Sequence, residues 1–306
     1  MLTPQLIHFL QSAFPASAQL IDLQSYRPGY LFFPARVTVQ KADGTLVHSV
    51  LKLHEHLATL QKETKIAAMF NDFGLPVAQV LAGPIALTDH EQFQAAILWS
   101  ELPGASLPWV NLKSLDDAYL TYRLLRQGVL TLHSLTKLVR QHLLAAELPV
   151  RTLQAELEQT IFQAGRWLEI DTVQRTVAAL QRVIPTIKTE LVFTNGDYNA
   201  INFLHQDGQL SGFVDFEFAC FEDPYIGFSK MIFWSFDDYG WGAGLKAGIV
   251  ERFLYDQGVS KRDFAPRLAL RAFSQVMRDV SLDKPEDRRE MEYVLGVMEE
   301  CLRMME

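Results

Sequence analysis

The chain has 306 residues, 49% apolar and 21% charged, which is the balance of a globular protein long enough for one or two substantial cores and excludes disorder or a collagen-like repeat. A formal net charge of −8 argues against a general nucleic-acid binder, and no apolar run exceeds five residues, far short of the roughly 20 that span a bilayer. Two cysteines, Cys220 and Cys301, are too few for a disulfide framework or a four-ligand zinc site, so the expectation is a cytoplasmic protein handling small molecules, without membrane insertion or a nucleic-acid partner.

In chain order, MLTPQLIHFLQSAFP lacks a basic leader and a small-residue cleavage site, and Pro4 followed by 3.6-period apolar residues predicts a surface helix. Leu31 to Gln40 and Leu46 to Leu53 read as strands joined by the Ala42-Asp43-Gly44-Thr45 turn. Leu57 to Phe73 has helical spacing and stops at Gly74, with Pro76 beyond. Two more strands, around Gln79 to Leu87 and Gln92 to Leu102, end at Pro103-Gly104, so a lobe of 1–102 meets a helical lobe of 103–306 across a boundary near 100–106. Asp116–Leu135, Leu138–Ala146, Leu153–Trp167 and Val173–Ile184 read as amphipathic helices. Leu191-Val192-Phe193 and Ile201–Leu204 are short apolar runs around a polar loop, Gly212 to Phe218 alternates like a strand, and helices resume from Ile226. There is no internal repeat.

The densest polar signal is Thr194-Asn195-Gly196-Asp197-Tyr198-Asn199-Ala200-Ile201-Asn202, followed by Val214-Asp215-Phe216-Glu217-Phe218. Carboxylates inside buried strands are costly unless they meet a cation. Asp197 and Asn202 stand five apart on one loop; Asp215 is a hard oxygen donor of the kind Mg²⁺ prefers. Period-two geometry puts Glu217 on the face of Asp215, as a further ligand or a supporting group. A turn-rich loop followed by a hairpin is the bland account of the same residues. Upstream, Lys52 alternates with Leu51 and Leu53 toward the opposite face of its strand. Glu63 interrupts the apolar stripe of Leu60, Ala67 and Phe70 and needs a cationic partner, for which Lys52 is the candidate. A strand lysine, a helix acid, a D-x-x-x-x-N loop and a later aspartate, in that order, are the parts of a phosphoryl-transfer site.

These segments resemble the aminoglycoside phosphotransferase and choline kinase-like group within the protein-kinase-like fold. The resemblance rests on LKLHEH with Lys52, GLPVAQVLA at 74–82, SELPGASL at 100–107, LHSL at 132–135, NGDYNAINFL at 195–204 and VDFEFACFEDP at 214–224. It implies an α+β bilobal fold: a small N-terminal antiparallel-sheet lobe, a hinge, and a larger helical lobe, with nucleotide between them. It further implies ATP and Mg²⁺ as cofactors and Asp197 as the catalytic aspartate. Asn202 and Asp215, with Glu217 beside them, become the metal side. Lys52 contacts the α and β phosphates, Glu63 braces Lys52, and the backbone of Glu101 and Leu102 meets the adenine edge. The implied activity is transfer of the γ-phosphate to a hydroxyl of a small molecule, cationic ones included: an aminoglycoside, choline, ethanolamine, or a related amino alcohol or sugar. The alternative is a catalytically degenerate, nucleotide-binding regulatory protein of the same fold.

Two positions depart from the family pattern: Asn195 where histidine is usual and Gly227 where aspartate is common, both bracing positions for the catalytic loop. The phosphate loop is also glycine-poor, Arg27-Pro28-Gly29-Tyr30. Among the simpler readings, His54-Glu55-His56 is a solvated turn, His133 a helix-end histidine satisfied by backbone, and Cys220 a small buried hydrophobe. Phe228, Phe233, Trp234, Phe236, Tyr239 and Trp241 read as core, with Asp237 and Asp238 available to a cationic acceptor. No G-x-S-x-G, H-E-x-x-H or Walker A motif occurs, and no D-F-G with A-P-E, which disfavours a protein kinase.

Overall fold

The computed structural model describes residues 2–26, 34–109, 112–233, 244–279, 284 and 287–306. Along the chain run α1 (Pro4–Ser12), β1 (Gln19–Ser25), β2 (Ala35–Gln40), β3 (Leu46–His54), α2 (Leu57–Asp72), β4 (Val80–Ala86), β5 (Ala95–Ser100) and β6 (Ala105–Ser106). There follow α3 (Leu115–Ser134), α4 (Thr136–Gln141), α5 (Leu153–Gln163), α6 (Asp171–Val183), β7 (Val192–Thr194), β8 (Phe203–Gln206), β9 (Gln209–Phe213), β10 (Cys220–Glu222), α7 (Ile226–Phe233), α8 (Gly244–Asp256), α9 (Lys261–Asp279) and α10 (Arg288–Met305). Two compact units emerge: Met1–Ala105 with Leu204–Glu217, and Ser106–Phe203 with Phe218–Glu306.

In the first unit an antiparallel sheet of order β1-β2-β3-β5-β4 carries a helix on each face. The β2–β3 turn closes because Gly44 takes φ +83°, letting Lys41 N donate to the Thr45 carbonyl. Alternation then aims Val37, Val39, Leu51 and Leu53 at Leu6, Phe9 and Leu10 of α1, the core of this unit. α1 starts where Thr3 accepts from Leu6 N, with Pro4 at its first position. On the opposite face α2 buries Leu60, Ile66, Ala67, Met69 and Phe70. β1 escaped the sequence reading because QLIDLQS lies at the sheet edge, mostly exposed, without a strong apolar alternation.

The unit boundaries do not follow a single cut after residue 102. Residues 204–217 return to the first unit as a hairpin of β8 and β9, which turns at Asp207-Gly208, both in left-handed backbone. Phe213 N donates to the Pro76 carbonyl, and Leu102 lies over Gly212, where a Cβ would come within 2.8 Å of it. Such short-range packing outweighs chain continuity.

The second unit is helical. Ser114 caps α3 by accepting from Asp117 N, and α3 buries Leu124, Leu125, Val129 and Leu132. α3 packs on α8, α7 on α8 and α9, and α10 on α9 and α6. The stretch read as one helix over Leu138–Ala146 is broken: His142 is extended and its Nδ1 accepts from Leu144 N, starting a separate 3-10 turn. Leu153–Trp167 breaks likewise after Gln163, with Gly165 at φ +49°. The apolar run at Ile201 begins as a 3-10 turn, and the strand starts only at Phe203. β7 and β10 pair antiparallel. Among the described residues no helix is long and apolar enough to cross a membrane. The phosphate-loop residues 27–30, the strand start at 31–33, and Trp234, Phe236, Asp237, Asp238, Tyr239 and Trp241 lie outside the described residues.

Candidate active site

In the first unit Lys52 is the centre of a carboxylate cluster. Leu51 and Leu53 point into the core, so β3 directs Lys52 to the other face, toward α2. There its Nζ donates to both oxygens of Glu63 at 3.0 Å, to Asp215 Oδ1 at 2.9 Å, and stands 3.3 Å from Glu217 Oε2. Burial alone would depress the Lys52 pKa; Glu63, Asp215 and Glu217 overcome this and hold it above the ordinary lysine range. Burial also raises the Glu63 carboxyl, with Lys52 opposing. Glu63 accepts a further bond from Phe216 N at 3.2 Å, and the Phe216 ring packs edge-on against Phe70. The residue following Asp215 is thereby pinned to α2.

Asp215 and Glu217 do not share a strand face as expected. β9 ends at Phe213, and Asp215 takes φ +64°, a left-handed conformation that aspartate tolerates better than most residues. The chain bends there, and the bend rather than pleating brings Glu217 to Lys52 and to within 3.5 Å of His54 Nε2. His54 Nδ1 accepts from His56 N, so the His54-Glu55-His56 stretch is a turn. Among the described residues no group of three or more His, Cys, Asp or Glu side chains is arranged to hold a metal. At the expected hinge, the Glu101 carboxylate accepts from Tyr26 Oη at 2.7 Å and Arg36 Nη2 at 3.0 Å. Burial, reinforced by Glu101, raises the Tyr26 pKa. The Leu102 side chain packs on Gly212.

In the second unit the polar loop is organised around Asp197, whose side chain is 13% exposed. Its Oδ1 accepts from Asn199 N at 3.2 Å and its Oδ2 from Lys230 Nζ at 2.8 Å. Asn195 brackets the same residue: its Nδ2 donates to the Asp197 carbonyl at 2.8 Å and its Oδ1 accepts from Asp197 N at 3.2 Å. Asn202 Nδ2 donates to that carbonyl too, at 3.1 Å. Gly196, at φ +73°, lets the loop pass the Phe218 carbonyl, which a Cβ would approach to 2.2 Å. Thr194 Oγ1 accepts from Gly196 N and donates to the buried carboxylate of Glu222.

The two departures from the family pattern thus have physical replacements. Asn195 supplies two hydrogen bonds to the loop. At position 227 the missing side chain makes room for the ring of fully buried Tyr198, which a Cβ would meet at 2.5 Å. The Tyr198 hydroxyl and His133 Nε2 share a hydrogen bond, and the ring packs on Phe228. His133 is therefore satisfied by a side chain and not by backbone; burial lowers its pKa to about 4, with Asp223 opposing. Asp223 itself, 1% exposed, takes two bonds of 2.6 Å from Arg267 of α9 and one from Thr189. Cys220 is buried, and desolvation with Glu222 nearby pushes its thiol up to about 12, the state of an inert core residue. Lys230 and Arg267 escaped the sequence reading. Lys230 is a cation in an apolar helical segment, the signal that singled out Lys52, whereas Arg267 lies in the more polar α9 and stands out only against its immediate neighbours Phe264, Ala265, Leu268 and Leu270.

The sequence model of the phosphotransferase enzyme family, APH, matches residues 34–270. A comparison with curated protein sequences finds no match. Among solved structures the chain is similar to aminoglycoside phosphotransferase APH(4)-Ia, with a TM-score of 0.65 at 14% identity over 98% of each chain. It is similar also to a thermostable mutant of that enzyme in ternary complex with ADP and hygromycin B, with a TM-score of 0.65 at 13% identity over 97% of this chain and 98% of that one. Macrolide 2'-phosphotransferase MphH from Brachybacterium faecium aligns with a TM-score of 0.56 at 16% identity over 94% and 96% of the two chains. At such identities the likeness is one of fold, the α+β protein-kinase-like fold. With the family model covering most of the chain, the protein belongs to the phosphotransferase enzyme family.

Proposed function

We propose that the protein is an ATP-dependent small-molecule kinase, transferring the γ-phosphate to a hydroxyl of an aminoglycoside, choline, ethanolamine, or a related amino alcohol or sugar. The observation that carries this reading is Lys52, held between Glu63 and Asp215 at 2.9–3.0 Å. A buried ammonium fixed by carboxylates from two elements is a preset charge for phosphate oxygens, and phosphoryl transfer depends mainly on positioning and charge neutralisation. The complex of APH(4)-Ia with ADP and hygromycin B supports ATP as donor and a polar acceptor of that kind.

In this reading Lys52 contacts the α and β phosphates, Glu63 braces it, and the backbone at Glu101 and Leu102 meets the adenine. Asp197 orients the acceptor hydroxyl and takes its proton as the oxygen–phosphorus bond forms and the γ-phosphorus bond to the β–γ bridging oxygen breaks. Mg²⁺ takes one or two protein oxygens and completes its shell with water and phosphate. Asn202 and Asp215 suit that demand: Asn202 donates through its nitrogen to the loop, and Asp215 spends one oxygen on Lys52 and is one-third exposed. When bound, the ion would neutralise phosphate charge. Glu217, turned toward Lys52 and His54, is assigned a supporting role beside it.

The degenerate, non-catalytic reading draws on Asn195 and Gly227. The bonds of Asn195 to Asp197 and the packing of Tyr198 at Gly227 favour a braced, working loop. The test is ADP release from MgATP with pooled aminoglycosides, choline, ethanolamine, amino sugars and nucleosides, alongside Asp197→Asn. Acceptor-dependent release that falls on the order of 10³-fold in the variant, with MgATP affinity retained, is the expected result. MgATP binding without turnover for any acceptor would leave the regulatory reading in its place.

A further inference from the structure

We infer that Lys230 is a positioning residue for the transfer step, holding the Asp197 carboxylate in its working orientation; the inference rests on the proposed kinase activity. Lys230 lies on α7, whose sequence IGFSKMIF is otherwise apolar except for Ser229, and Ser229 Oγ turns back to the Ile226 carbonyl. A lysine in such a segment needs a reason to hold its ammonium there. The reason in the structure is Asp197 Oδ2, 2.8 Å from Nζ. With Oδ1 taken by Asn199 N, both carboxylate oxygens have fixed donors, one from backbone and one from α7. The carboxylate plane is thereby set without blocking the remaining lone pairs that an acceptor hydroxyl needs.

The same helix face receives the next loop residue. Tyr198 packs its ring on Gly227, one turn before Lys230, so consecutive loop residues engage positions three apart on α7. The face that lacks aspartate at 227 carries a cation at 230. Tyr198 on Gly227 is packing alone, whereas Lys230 on Asp197 acts on the group that is to handle the proton. An ammonium has three N–H donors, and the bond to Asp197 Oδ2 uses one of them, on a side chain that is 30% exposed. It therefore offers charge where negative charge would be handled, in addition to orientation.

The experiment compares wild type, Lys230→Met and Lys230→Arg for kcat and KM with MgATP and an acceptor that the wild type phosphorylates, with MgATP affinity and melting temperature measured for each. Expected are a kcat lower by on the order of 10²-fold in Lys230→Met, recovery to within about tenfold in Lys230→Arg, where a cation again reaches Oδ2, and unchanged KM for ATP, MgATP affinity and melting temperature. Wild-type kcat in Lys230→Met overturns the inference. So does a loss of kcat matched by lost MgATP affinity and a lower melting temperature, which is the mark of a merely structural ion pair. A wild-type chain that binds MgATP without releasing ADP for any acceptor overturns the kinase reading and this inference with it; wild-type turnover that is insensitive to Lys230 overturns this inference alone.

Discussion

Burial makes single side chains decisive at the residue scale, and His133 shows how. Its imidazole sits beside buried Tyr198, and burial lowers its pKa to about 4 against an ordinary value of 6.5. As pH falls below 6.5 the unfolded chain takes up the proton first, so stability is full above that value and is lost progressively toward pH 4. By pH 5 the loss is on the order of 2 kcal/mol. Urea unfolding at pH 7.5 and pH 5 should show that loss in the wild type and a smaller one in His133→Gln; equal slopes would mean that the imidazole charges in the folded state. Glu63 and Glu222, both raised by burial, contribute with the opposite sign, but they are common to both proteins and cancel in the comparison. Lys52 and Glu63 pair because a charge among apolar residues of known period must find a partner. The same logic marks Lys230, a lone cation in the apolar α7, which finds Asp197.

Elements fix the loop through buried polar anchors. Asp223, which opens the Asp-Pro pair before α7, is held by the Arg267 guanidinium of α9, 4% exposed, in a two-pronged pair. Removing one member of a buried pair strands the other's charge. Arg267→Met should therefore cost about 3–5 kcal/mol in chemical denaturation, whereas a surface change such as Arg288→Met, whose i,i+4 partner is Glu292, should cost under about 1 kcal/mol. A small cost for Arg267→Met would show that Asp223 finds solvent or another donor. Element existence was largely legible: α2 and α3 from helical periodicity, the β2–β3 hairpin from its Asp-Gly turn. Breaks were not. His142 and Gly165 divide stretches whose apolar spacing runs on, because a cap or a left-handed residue interrupts the backbone without changing the pattern of side chains.

For the whole molecule, the residues assigned to chemistry are shared out: Lys52, Glu63, Asp215 and Glu217 in the first compact unit, Asp197, Asn202 and Lys230 in the second. A ligand that binds only the folded protein stabilises it by mass action, about 2.7 kcal/mol at a concentration one hundred times its Kd. For a chain of this size that is a rise of roughly 5 °C in melting temperature. MgATP should produce it in the wild type and not in Lys52→Met at the same concentration. An undiminished shift in that variant would remove Lys52 from the phosphate contacts.

Local rules, applied to the sequence alone, determined the kind of elements, the alternation that sends Lys52 away from the core, and the order of chemical groups that led to a phosphotransferase resemblance. They reach no further than neighbours along the chain. Tertiary structure decided the rest: that 204–217 packs with the first unit, that Asp215 turns through a left-handed residue so that Glu217 arrives by a bend, and that Lys230 braces Asp197. Each of these depends on contacts between residues up to 163 positions apart, as between Lys52 and Asp215. Such contacts form because buried charges and polar atoms must find partners wherever the fold brings them, and periodicity along one segment carries no record of which distant segment will supply them.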